Sequence, residues 1–246
     1  MEDKQRRIYS VICNNNGIKA KDIAKKVGEE RGGINRLLYL NPFVQDLCYR
    51  DNEFFWHGLI RQNRPHIGLS DFCGYYGTVE RFLSQPEDEW LEELKRGCRS
   101  IGRNLNDSRG LIHSFLDTRA VMTELFHDMS GVDYASWEIC FELRVRRAKY
   151  IRIYADVLVI TEDKVFSMEF KMKDTIDPEE QLQAVKYVKY LDVIFGDGYE
   201  VIPALVLTRA ADLYTWKQLP DSSLELPVCS GDMLFNLFDE FLGFLG

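Results

Sequence analysis

Three short stretches between Asp156 and Tyr187 hold residue types suited to one kind of chemistry. Asp156 is followed, after twelve residues, by Glu169-Phe170-Lys171, and beyond these come Gln183 and Tyr187, four residues apart. Carboxylate oxygens are the hard ligands that Mg²⁺ or Mn²⁺ prefers. A metal held by such a pair polarises a phosphate ester and lowers the pKa of a bound water, so that hydroxide becomes available near neutral pH. A lysine beside them can orient or deprotonate that water, or neutralise charge building on the phosphate. The chemistry these residues suit is metal-assisted hydrolysis of a phosphodiester.

Such residues need rigid elements to hold them together. Side chains alternate between the two faces of a strand. Over 165–173, Val165, Ser167, Glu169, Lys171 and Lys173 share one face, while Phe166, Met168, Phe170 and Met172 form an apolar one. Over the preceding run, Arg152, Tyr154 and Asp156 share a face, opposite Ile153, Ala155, Val157 and Val159. A hairpin turning at Thr161-Glu162-Asp163 brings Asp156 beside Glu169. The bland alternative is an exposed Glu/Lys pair worth at most ~1 kcal/mol, but acids are disfavoured in strands and call for a reason. A helix over 178–195 follows, with Asp177 as N-cap and Pro178 at the first position, and it sets Gln183 and Tyr187 on one face.

On these residues the chain resembles the PD-(D/E)XK nuclease superfamily, and the Gln183/Tyr187 pair is similar to the QxxxY element of its RecB-like members. The resemblance covers roughly residues 110–208, read as a helix at 110–128, strands at 137–147, 149–160 and 164–173, the helix at 178–195 and a strand at 201–208. It implies an α/β fold with a restriction-endonuclease-like α-β-β-β-α-β core. It further implies that Asp156 and Glu169 bind Mg²⁺ (or Mn²⁺), that Lys171 serves the attacking water, and that Gln183 and Tyr187 contact a phosphate or hold the lysine. The family's further acidic residue, on the helix before the first strand, is best matched by Glu124, with Glu138 and Glu142 as rivals. Ala155 stands where the superfamily's name has proline. Two short helices are expected to close the chain, the last (232–245) very apolar and suited to core packing or a dimer contact.

The first sixty residues read differently. Helices fit 4–14, 19–28 and 31–40, then short β-runs fit 43–49 and 53–57, an order that resembles a winged helix-turn-helix. Such modules bind DNA or serve as protein adaptors. If DNA is the ligand, Arg31, Asn35 and Arg36 face a groove while Lys19, Lys21, Lys25 and Arg50 meet phosphates; otherwise they are a solvated helix face. A second basic run, Arg144, Arg146, Arg147, Lys149 and Arg152, suits a DNA backbone or a solvated hairpin tip. The expected domains are therefore 1–60, a helical connector or an elaboration of the C-terminal domain at 61–109, and 110–246.

Bulk composition is compatible with this division. The 246 residues are 46% hydrophobic and 28% charged, a globular composition. Net charge is −8, but residues 1–65 carry 12 basic against 8 acidic residues, leaving a balance of −12 for the remainder. No apolar run approaches the ~18–20 residues that span a bilayer, and the N-terminal residues lack a signal-peptide pattern, so a cytoplasmic location is expected. Six dispersed cysteines and four histidines have no zinc-finger spacing. The overall expectation is a Mg²⁺-dependent DNA endonuclease suited to restriction, anti-phage defence or repair, compatible with a homodimer and with a separate ATPase or helicase partner. The alternative is a DNA-binding or adaptor protein with an inactive nuclease fold.

Overall fold

The computed structural model describes residues 3–13, 15, 17–41, 44–45, 48–51, 53–58, 69–105, 108–129, 131–134, 136–147, 152–196, 198–220 and 222–244. The side chains of Arg146, Arg147 and Arg152 and all of Lys149 lie outside this description.

Apolar residues at helical spacing build the N-terminal part. Helices α1 (Asp3–Cys13), α2 (Ala20–Val27) and α3 (Arg31–Leu40) bury Ile8, Ile12, Ile23, Val27, Ile34 and Leu38 against each other. Gly28 ends α2 with φ of 74°, in the left-handed region that glycine enters without steric cost. Strands β1 (Cys48–Arg50) and β2 (Trp56–Gly58) pair antiparallel, and Ile18 bridges to Trp56. The Asp51 carboxylate shapes the turn between the strands by accepting hydrogen bonds from the Glu53 and Phe55 amides.

The rest of the chain is organised by a mixed sheet of seven strands in the order β3-β4-β5-β6-β7-β9-β8. These are β3 (Tyr75–Thr78), β4 (Glu138–Arg147), β5 (Arg152–Ile160), β6 (Lys164–Lys171), β7 (Glu200–Leu207), β8 (Tyr214–Gln218) and β9 (Glu225–Ser230). Helices α4 (Val79–Ser84), α5 (Glu87–Ser100) and α6 (Ser108–Asp128) precede β4; α7 (Pro178–Lys186) and α8 (Val188–Phe195) cross from β6 to its parallel neighbour β7; α9 (Leu234–Leu242) comes last. Phe166, Met168 and Phe170 pack on one side with Phe115, Met122, Leu237 and Phe238. On the other side, Leu158 and Val165 join a cluster that runs through Tyr187 and Leu191 to Ile8, Ile23, Leu38 and Trp56. The N-terminal helices and the sheet thus share one continuous core, and β6 is buried on both faces.

Several expectations are corrected. The stretch expected as a helical connector contributes β3, an edge strand paired with β4, so it belongs to the sheet. Its docking is close. A Cβ added at Gly97 of α5 would lie 2.0 Å from the Gly74 carbonyl oxygen, so only glycine permits this approach. The helix expected over 178–195 divides at Tyr187 into α7 and α8; its start is as expected, with the Asp177 carboxylate accepting from the Glu179 amide. The strand expected over 149–160 is present at Arg152–Ile160, and 149–151 lie outside the described residues. In place of the first of two closing helices, β8 and β9 pair antiparallel, because the β-branched and aromatic residues of 214–218 suit a strand. The apolar face of α9 is used within the chain, where Phe238 stacks on Phe166 at 4.0 Å between ring centroids. All six cysteines are free and buried. Among the described residues, no helix is long and apolar enough to cross a membrane.

Candidate active site

Strand register places three carboxylates in a row. β4 and β5 pair at Phe141–Val157 and Leu143–Ala155, so Glu142 lies opposite Asp156. β5 and β6 pair at Val157–Met168, so one step further along the ladder Asp156 comes opposite Glu169. Glu142 has φ of 56°, an unusual backbone for a non-glycine residue, and the β4–β5 register shifts between Arg144 and Arg146.

Each carboxylate is held differently. Asp156 Oδ2 accepts from the Phe170 amide at 3.0 Å. Glu169 is 1% exposed, and its Oε1 accepts from Lys171 Nζ at 2.7 Å and from Gln183 Nε2 at 2.5 Å. Lys171 Nζ also donates to Gln183 Oε1 at 3.3 Å, closing a triangle of three side chains. Gln183 Nε2 reaches Tyr187 Oη at 2.9 Å, the i, i+4 contact expected along this segment. Glu142 forms a two-point ion pair with Arg103, with Nε–Oε2 at 2.8 Å and NH2–Oε1 at 3.2 Å.

Burial and mutual repulsion set the electrostatics. Burial first, then the neighbouring Asp156, push both Glu142 and Glu169 up to about 8. Burial also raises Asp156, against the opposing pull of the Phe170 amide, Lys171 and Arg103. Burial works against the Lys171 ammonium, but Glu169 and Asp156 outweigh it and hold its pKa above the ordinary lysine value. Lys171 is therefore a committed cation in this arrangement, suited to neutralising charge rather than to removing a proton.

Of these groups, Arg103, Asp156, Lys171, Gln183 and Tyr187 line a pocket of about 680 Å³, together with Tyr154 and Lys186, whereas Glu142 and Glu169 are not among its lining residues. The donor set fits a hard divalent ion at one point. Glu169 Oε2 is buried with no hydrogen-bond partner among the described residues, and a buried carboxylate oxygen in that condition is costly unless a cation or donor meets it. Mg²⁺ is bound through one or two carboxylates while keeping several waters, which Asp156 and Glu169 can supply. No group of three or more His, Cys, Asp and Glu among the described residues is arranged to hold a metal ion. Glu142, the third carboxylate in the row, is occupied by Arg103.

No protein-family model matches the chain, and no curated protein does. Among solved structures, protein VC1899 from Vibrio cholerae is similar at a TM-score of 0.30 and 12% identity, over 96% of this chain. The match spans 50% of that protein's own length.

The structure thus brings together Asp156, Glu169, Lys171, Gln183 and Tyr187. It leaves Glu124 out, exposed on α6 and absent from the pocket wall; of its rivals, Glu142 is the acid beside Asp156, whereas Glu138 accepts from the Tyr76 hydroxyl. Arg144 is also corrected. It is 9% exposed, its NH1 donates to the Ile101 carbonyl at 2.8 Å and its guanidinium lies over the Phe72 ring, so it does not face solvent as a DNA contact would. Lys19, Lys21, Lys25, Arg31 and Arg36 are exposed and Asn35 is half-buried. Lys19 also lies over the Phe55 ring, and Arg50 over those of Tyr39 and Phe54. Arg103 was not foreseen: it belongs to no motif, and its acidic partner stands 39 residues away.

Proposed function

We propose that this chain is a metal-dependent nuclease of the PD-(D/E)XK type, hydrolysing phosphodiester bonds in DNA, with residues 1–60 acting as a winged helix that positions the nucleic acid. The observation that carries the proposal is the buried Asp156–Glu169 pair, joined to Lys171 and Gln183 at a pocket, with Glu169 Oε2 unpartnered. Asp156 and Glu169 would hold Mg²⁺ or Mn²⁺, which when bound supplies Lewis-acid polarisation of the phosphate and a more acidic water. Lys171 donates toward the phosphate or the attacking water and offsets negative charge in the transition state. Gln183 fixes Glu169 and Lys171 relative to one another, and Tyr187 fixes Gln183. Such cross-bonding holds the groups in place before substrate arrives, so little reorganisation is left for the reaction itself.

The test is a cleavage assay on single- and double-stranded DNA and on RNA, with Mg²⁺, Mn²⁺ or EDTA. Wild type should cut DNA only with metal, and Glu169→Ala and Lys171→Ala should cut at least about 100-fold more slowly. Metal-dependent cleavage at the wild-type rate in both variants would refute the site. One observation favours a second reading, a DNA-binding or adaptor protein with a silent site: Glu169 Oε1 is already engaged by two donors. Metal-independent DNA binding with no cleavage under any condition is the result that selects it.

A further inference from the structure

Arg103 is the least expected member of the pocket. It follows α5, where Gly102 takes φ of 74° and the Arg103 amide donates to the Cys98 carbonyl at 2.8 Å, so the helix end fixes where the side chain starts. Its guanidinium is then fixed twice more. The two-point ion pair with Glu142, 3% exposed, takes the Nε and NH2 side, and the group lies 4.7 Å from the Tyr154 ring centroid. This leaves NH1 outside the ion pair, on a residue that forms part of the pocket wall.

The cations at that wall are Arg103, Lys171 and Lys186, and the acids are Asp156, Glu179 and Glu180. Lys171 is bound to Glu169, and Glu180 is neutralised from outside the wall by Lys173 at 2.7 Å. A planar guanidinium held by a buried acid and an aromatic face loses little further freedom when it meets a phosphate, and its fork suits phosphate oxygens. A residue that needed only to neutralise Glu142 would not also have to line the pocket.

We propose that Arg103 grips a backbone phosphate of the nucleic acid in this pocket, presented to it by Glu142 and Tyr154. The nuclease reading supplies only the identity of the polyanion; the grip itself is a binding property. It is tested by fluorescence anisotropy of labelled single- and double-stranded DNA in EDTA, where no bond is cut, at salt from 50 to 200 mM. Removing one phosphate contact should flatten the dependence of log affinity on log salt by about 0.7–0.9. Over that salt range Arg103→Ala should therefore lose about 2.6- to 3.5-fold less affinity than wild type. Arg103→Lys keeps the charge opposite Glu142 and so guards against misfolding; it should retain the slope but bind several-fold more weakly, because the fork is gone.

Wild-type slope and affinity in folded Arg103→Ala, or wild-type affinity in Arg103→Lys, overturn the proposal. The two readings fail separately. A chain that never cuts DNA but binds it with an Arg103-dependent slope refutes the nuclease alone, whereas one that cuts with an Arg103-independent slope refutes the grip alone.

Discussion

The two charged regions of this chain use the same residue types in opposite ways. At the sheet, Glu142, Asp156 and Glu169 lie in a row; Arg103 pairs with Glu142, while Lys171 and Gln183 bond Glu169 and each other, at 2.5–3.3 Å. On the N-terminal helices, Lys19, Lys21, Lys25, Arg31 and Arg36 are exposed. A buried charge must be paired or its pKa shifts, so burial turns each charged group into a geometric device that one substitution breaks. An exposed charge contributes mainly to a long-range field, screened by salt and tolerant of exchange.

Cleavage is where the contrast should be largest. Under the proposed function, Lys171→Ala should slow DNA cleavage by about 10²–10³-fold, the scale of losing one preorganised charge-stabilising donor, while any single exposed lysine of α2 changes single-turnover rates at saturating DNA little. Equal effects at both places would erase the distinction.

Stability offers a sharper pairing, because an arginine sits in each class. Arg144→Ala leaves the buried Ile101 carbonyl without its donor and should cost about 1–3 kcal/mol in urea unfolding, with the salt slope of DNA binding unchanged. Arg36→Ala should stay within about 0.5 kcal/mol of wild type and flatten that slope by about 0.9 if its helix meets DNA. A reversed pattern would mean that Arg144 leaves its buried position when DNA binds.

The acidic row should also set how stability follows pH. Glu142 and Glu169 are raised to about 8 from 4.5. The folded chain then keeps protons that the unfolded chain releases as pH rises from about 4.5 to 8. Stability without metal should therefore fall through that window. Thermal melts in EDTA from pH 5 to 8 should show the fall, and Glu169→Gln should lessen it. Mg²⁺ should raise Tm more at pH 8 than at pH 5, since the ion competes with protons for the same oxygens. A Tm that climbs over this range in EDTA contradicts the burial of these acids.

Much of the sheet was legible: the alternation of polar and apolar residues in β4, β5 and β6, and the short apolar run of β7, put each within a few residues of where it lies. The Asp156, Glu169 and Lys171 cluster was legible for a related reason, as charge on an otherwise apolar strand stands out. β3 was not, since four residues between helices offer no usable periodicity. The burial of Arg144 was hidden because alternation says which face a residue takes, not what covers that face; Phe72 and Ile101 cover it from far away in the chain. Glu124 was preferred to Glu142 because the resemblance puts the further acid on the helix before the first strand. Glu142 takes its place beside Asp156 from the pairing of β4 with β5 and from a backbone with positive φ, neither of which is encoded locally.

The contact between Gly97 and Gly74 has a consequence for the pocket. With 2.0 Å between a would-be Cβ and a carbonyl oxygen, the last turn of α5 rests on the peptide leading into β3 with less clearance than one methyl group. Arg103 leaves the chain six residues later. The height of its guanidinium above the carboxylate row is therefore calibrated by the absence of an atom elsewhere. A substitution at position 97 would act as a shim, lifting the helix end and detuning the pocket without touching any residue in its wall.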